Sequence, residues 1–324
     1  MKKFIYSMLA FLFVLPLMLG LAACGKKEGV SGVKTVEEFL AKFDTEASVT
    51  LGANLELEEN LNIDKDFVID LNGYTLTFDG NNQNLVYVNA VRNVTIKNGK
   101  IRYTSEVDPA QTMSCITNFG NLTVEKVDLK FDNLNVQNNE EPHRLDGFAN
   151  WEEGALVIRN SVITMNVDDT TRNYKTCGVF SLGRSFVFEN SVLTMNCSAN
   201  SSYGIYNYIN VGEENPGTRT ATITNSTVNL TSNSINSISG IFAESYVSGE
   251  ENVAKVIIGK GTRVNVTRTA ESGSGKKTYA LRAKGNATIS GANNATLTIV
   301  DGTDCTQYER GMEAGEAGTG VITD

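Results

Sequence analysis

Four side chains with complementary chemistry crowd into nine residues: His143, Arg144, Asp146 and Trp151. They sit in NLNVQNNEEPHRLDGFANW (133–151), which holds the only Trp and the only His of the chain. An aromatic ring beside hydrogen-bond donors and acceptors suits a sugar, whose C–H face packs on the ring while its hydroxyls meet the polar groups. Binding tends to reside on loops carried by a rigid scaffold. These four are therefore the candidate ligand-binding residues. The competing reading is structural: Trp151 packs its loop onto the scaffold and the polar groups face water.

Acidic pairs form a second group. Glu152-Glu153, Glu213-Glu214 and Glu250-Glu251 follow GFAN, GIYN and GIFA, three runs that look like copies of one element. If the copies stack, the pairs approach one edge, and calcium accepts several carboxylate oxygens in flexible geometry. The intervening copy, GVFSLGRSF, carries Gly183-Arg184 at that corner. A solvated corner with ion pairs to Arg184, each worth under about 1 kcal/mol, is the preferred reading, and calcium is not favoured. Asp168-Asp169 closes a strand-like run where a turn would also select aspartate. No phosphate-binding glycine loop, zinc-ligand spacing or hydrolase nucleophile elbow is present, so no cofactor is expected.

The elements that must carry these groups repeat. FVIDLNG (67–73), NVTIKNG (93–99), NLTVEKV (121–127), ALVIRNS (155–161), SFVFENS (185–191), TATITNS (220–226), KVIIGKG (255–261) and NATISGA (286–292) are versions of one strand. The equivalent corner residues Asn98, Lys126, Asn160, Asn190, Asn225 and Lys260 recur at steps of 28 to 35 residues. A shorter run precedes each strand (CITN, GFAN, GVFS, GIYN, GIFA, YALR) and another follows it (KIRYT, DLKFD, VITMN, VLTMN, TVNLT, RVNVT). Apolar and polar residues alternate within the runs, and Asn-Gly or Asn-Ser marks a sharp corner. Three strands and three corners per repeat describe one turn of a coil, and stacked coils give parallel sheets of right-handed winding. The near-identical SVITMN and SVLTMN are then neighbouring rungs, with Ile163 over Leu193 and Met165 over Met195.

This pattern resembles the right-handed parallel β-helix of the pectin-lyase-like superfamily over residues 48–305: about eight coils, some 40 Å long at roughly 4.8 Å per coil. Residues 35–47 are expected to form a capping helix, with Thr35 and Glu38 as a capping box. Residues 306–324 lack a periodic pattern and are left as a tail or cap. The resemblance implies that an enzyme would show clustered outward aspartates with His and Arg-x-Lys, or calcium-binding aspartates with a basic residue. Neither set is recognisable in this sequence.

The N-terminal segment is a targeting signal in form. Lys2 and Lys3 precede an apolar run from Phe4 to Leu21, and Leu21-Ala22-Ala23-Cys24 follows. This resembles the lipobox of bacterial lipoproteins, which implies removal of residues 1–23, a lipid on Cys24 and a flexible tether over 24–34. The chain is then expected in the bacterial cell envelope, held to a membrane outside the cytoplasm. A net charge of −9 without a basic patch argues against nucleic acid. Cys115, Cys177, Cys197 and Cys305 each lie in or beside an apolar run and read as small buried hydrophobes, with Cys177–Cys197 the pair to consider for a disulfide. The leading functional expectation is a non-catalytic, adhesin-like or carbohydrate-binding surface protein with a polysaccharide or envelope glycan as partner. The alternatives are a lyase or glycoside hydrolase acting on acidic polysaccharides, and a passive envelope spacer.

Overall fold

The computed structural model describes residues 31–79, 85–105, 113–136, 144–169, 175–210, 217–247, 249, 251–269, 278–300, 305–311 and 320–324. Cys24 and the signal segment lie outside these residues, as does most of the tether. The chain is a parallel β-helix, consistent with the right-handed winding expected. One face is a nine-stranded sheet built from the first strand of each coil. The central and third strands share a seventeen-stranded sheet, because Asn93–Ser105 and Asn121–Val136 run through the corner without a break. Nine first strands slightly exceed the eight coils expected. The stack also continues past residue 305: Cys305–Gly311 pairs with Thr278–Gly285, and Val321–Ile322 pairs with Ala287–Ser290.

The rungs are in the register that the repeats require. Ile163 pairs with Leu193 and Met165 with Met195, and all four are buried. Val94, Leu122, Leu156, Phe186, Ala221 and Val256 form one inward column, and Ile96, Val124, Ile158, Phe188, Ile223 and Ile258 form the next. Each strand therefore buries alternate residues on the same partners above and below, which stabilises the stack by apolar burial along its whole length.

Corners fix where each strand ends. Asn72, Asn98, Lys126, Asn160, Asn190 and Asn225 all have φ between 47° and 60°, the left-handed region that Asn tolerates better than other side chains. Asn225 Nδ2 donates to Asn190 Oδ1 of the next coil at 2.8 Å, so the corner is bonded along the axis as well as bent. The serines that follow repeat the device: Ser161 N donates to Ser191 Oγ, and Ser191 N to Ser226 Oγ, both at 3.1 Å. Asn190→Val forces a β-branched residue into positive φ and is expected to cost about 1–3 kcal/mol in urea unfolding, whereas Asn190→Gly stays within about 1 kcal/mol of the parent.

Glycines of the first strands answer to packing. A Cβ on Gly178 would lie 2.6 Å from Leu193 Cδ2 and 2.7 Å from the carbonyl oxygen of Gly204, and one on Gly204 would meet Val228 Cγ1 at 2.6 Å. Third-strand side chains thus fill the space that these glycines leave inside the coil. The N-terminal end is closed by helix α1 (Val36–Thr45), which buries Phe39 and packs Val36 and Phe43 on the first coils. Thr35 Oγ1 accepts from Glu38 N at 3.2 Å, while the Glu38 carboxylate reaches past Thr35 to the Lys34 N–H at 2.7 Å. The chain joins the stack just before the helix, where Val33 is buried and bridges Leu51.

Candidate functional site

The outer face of the nine-stranded sheet carries a second apolar cluster, outside the coil. Cys177, Phe180, Leu182, Tyr203 and Phe242 are buried there, with Trp151, Tyr206 and Tyr208 packed against them. Register explains the grouping. Phe180, Tyr206, Phe242 and Arg282 are successive rung partners, as are Asp146, Cys177, Tyr203, Ser239 and Tyr279. An aromatic stripe results, climbing from Tyr87 through Phe119, Trp151, Phe180 and Tyr206 to Phe242, with neighbouring ring centroids 4.7 to 6.3 Å apart.

Against the upper part of this stripe lies a cleft of about 510 Å3, its walls including Phe180, Tyr203, Tyr206, Tyr208, Phe242 and Tyr246. Its polar groups are Arg144, Lys175, Asn200, Asn236, Glu244 and Arg282. Tyr206 and Phe242 stack face to face at 4.7 Å and 6°, so each covers one ring face of the other and together they build a wall. Trp151, Tyr208 and Tyr246 are only partly buried and have surface to spare, Tyr208 standing at 80° to Tyr246 across 5.8 Å. Glu244 accepts from the hydroxyls of Tyr206 and Tyr246, the second at 2.8 Å. Arg282 donates to Ser237 Oγ at 2.8 Å, with its guanidinium 4.6 Å from the centre of the Phe242 ring.

Three of the four residues singled out from the sequence converge at the lower rim. Arg144 Nε donates to both oxygens of Asp146, at 2.7 and 2.9 Å, and its guanidinium lies 3.5 Å from the Phe180 ring centre and 5.3 Å from that of Trp151. His143 lies outside the described residues. Two corrections follow. Arg144 and Asp146 belong to a coil strand, Arg144–Asn150, and not to an outfold. Asp146 is wholly buried, so it supports Arg144 and does not present its carboxylate to a ligand. The reason is that Arg144 and the aromatic stripe cover this sheet, which hides the usual alternation.

Burial pushes the Asp146 carboxyl up to about 6, with Arg144 opposing the rise. Burial also lifts Tyr203 to about 12, and burial together with Glu244 holds Tyr206 well above its ordinary value. Sequence reading missed Phe180, Tyr203, Tyr206 and Phe242. The available signal was the aromatic two residues after the glycine in GVF, GIY and GIF, at one register in consecutive repeats.

The acidic corner takes another form. Glu153 lies 3.6 Å from Arg219, which also donates to the Glu152 carbonyl at 2.9 Å. The cation at this corner is thus Arg219, and Arg184 is exposed, with no ion pair among the described residues. Glu152 has φ of 50° and serves the turn. Glu251 Oε1 accepts from Asn252 at 3.3 Å, while Glu213, Glu214 and Glu250 lie outside the described residues. Among the described residues no three His, Cys, Asp or Glu side chains converge as metal ligands. Asp168 is exposed and Asp169 is buried, so that pair points to opposite sides of its strand.

Cys115, Cys177 and Cys197 are buried and free. No Cys177–Cys197 disulfide forms, because Cys177 faces the outer aromatic cluster while the Cys197 thiol donates to Ser202 Oγ at 3.2 Å. No helix among the described residues is long and apolar enough to cross a membrane. Neither a protein-family model, nor a curated protein, nor a solved structure matches this chain.

Proposed function

We propose that this chain is a non-catalytic carbohydrate-binding β-helix, displayed at the bacterial cell envelope by a lipid on Cys24. The observation that carries the reading is the cleft on the first-strand face. Partly exposed aromatic rings, tyrosine hydroxyls, two asparagine amides and charged groups converge there. A saccharide uses this mixture, since apolar ring faces take its C–H surface and fixed polar groups take its hydroxyls. The lipid anchor is supported by Leu21-Ala22-Ala23-Cys24 alone.

Hydrolase and lyase readings fit the cleft less well. A glycosidase needs two presented carboxyls about 5–10 Å apart, and Asp146 is enclosed under Arg144. A lyase needs a proton acceptor near neutral pH, and both Tyr203 and Tyr206 are shifted away from that role.

Binding of the mature domain to a panel of soluble and envelope polysaccharides tests the proposal. Tyr208→Ala is expected to weaken binding about tenfold or more, equivalent to ~1.4 kcal/mol, while the circular dichroism of the fold is unchanged. An absence of binding by the parent across the panel would overturn the reading. Release of reducing ends or unsaturated sugars would replace it with an enzymatic one.

A further inference from the structure

At the lower rim of the cleft lies a charge pair whose carboxylate is closed to any saccharide. Asp146 is wholly enclosed, and its two oxygens take the Nε edge of Arg144. The Nη2 of Arg144 is buried without a hydrogen-bond partner. A buried donor left without an acceptor is costly, and an arriving oxyanion removes that cost. Lys175 is the rung partner of Arg144 on the next coil; it is exposed, lines the same cleft and makes no ion pair among the described residues.

We infer that Asp146 and Arg144 form a proton-operated gate: ionised Asp146 holds and neutralises Arg144, whereas protonated Asp146 leaves Arg144 to bind an oxyanion in the cleft together with Lys175. The oxyanion is a carboxylate, sulfate or phosphate group. The gate stands apart from the saccharide reading, because it requires only an anionic group small enough for the cleft.

The surroundings single out Asp146 as the titrating member. Arg144 faces it from its own strand, and Ser114 from the strand below, at 3.4 Å. From the strand above come Cys177, held well above its ordinary value by burial, and Lys175. Tyr203 and Tyr206 stand one strand further on, with Glu244 bonded to Tyr206, and both phenols stay protonated through neutral pH. Asp146, pushed up to about 6 by burial, therefore changes charge in the mildly acidic range while the Cys177 thiol and the two phenols keep their protons. Loss of the carboxylate turns a compensated rim into a cationic one.

The single tryptophan makes the gate observable, because Trp151 lies 5.3 Å from the Arg144 guanidinium. Fluorescence of the folded chain, titrated between about pH 4.5 and 8, is expected to show a transition near pH 6. That transition persists in His143→Asn, which removes the only histidine, and disappears in Asp146→Asn. Sulfate serves as the probe. Its affinity is expected to be about tenfold higher at pH 5 than at pH 7.5, which by linkage equals a one-unit rise in the Asp146 pKa on binding. The ratio falls to about one in Asp146→Asn, and Lys175→Gln weakens sulfate binding at acid pH. A transition that survives Asp146→Asn, or vanishes in His143→Asn, overturns the gate. Should Asp146→Asn fail to fold, the parent alone decides, since equal sulfate affinity at the two pH values also overturns it.

Discussion

Phe188→Ala is expected to lower the unfolding free energy by about 3–5 kcal/mol. The side chain is fully buried, has Ile158 and Ile223 as its rung partners, and lies 6.1 Å from Phe186. In many cores the backbone relaxes around a deleted ring. Here the strands above and below are locked into parallel ladders at both edges, so the cavity cannot close by moving a single element. Urea unfolding followed by circular dichroism measures the loss. Because coils contact only their neighbours, the transition should also broaden as the two halves of the stack begin to melt separately. A loss below about 1 kcal/mol would mean that the inward column at this register is misassigned.

The second large effect is a pH dependence that runs opposite to the usual carboxylate. Asp146 titrates near 6 in the folded chain, against an ordinary value of 3.8. Between those two values the folded state binds more protons than the unfolded state, so stability falls as pH rises through this window. Below about pH 4 both states are protonated and the penalty vanishes; above about pH 6 it is complete, at roughly 3 kcal/mol. Depressed carboxylates such as Asp66, bonded by Asn93, contribute in the opposite direction. The measurement is therefore the difference between the parent and Asp146→Asn. Asn carries no charge, so the parent should lose stability relative to the variant from about pH 4 to about pH 6. A difference that moves the other way would show that Arg144 more than offsets the burial of the carboxylate.

Much of the coil was legible because its central and third strands have one wet face and one dry face. NVTIKNG alternates cleanly, as SVITMN does from Ile163 onward, and the left-handed corner selects Asn often enough to be seen at 28- to 35-residue steps. The first strands were harder to read. Lys175–Ser181 and Ile238–Ser245 are buried on almost every residue, since the aromatic stripe covers their outer face, so periodicity carries no signal there. For the same reason Arg144 and Asp146, two charged residues in a strand buried on both sides, looked like a loop. The acidic corner failed differently. Doubled glutamates are visible in a sequence, but their cation, Arg219, comes from a coil two turns away from Glu152, and no local spacing announces it. The last coil was missed because Cys305–Gly311 and Val321–Ile322 are separated by a glycine-rich stretch without alternation.

The connections that lead into the first strands vary in length, from two residues between Ser198 and Ser201 to nine between Arg268 and Thr278. The corners between central and third strands vary less, with two residues from Arg159 to Val162, Glu189 to Val192 and Thr224 to Thr227 and four from Ser290 to Ala295. The connections that leave the first strands vary as widely, from one residue between Gly285 and Ala287 to nine between Ile209 and Arg219. The molecule divides its labour accordingly: short corners inside the seventeen-stranded sheet hold the stack, and the connections at both ends of the first strands take up the differences in length. Descendants of such a chain could exchange one ligand for another while their cores stay nearly the same.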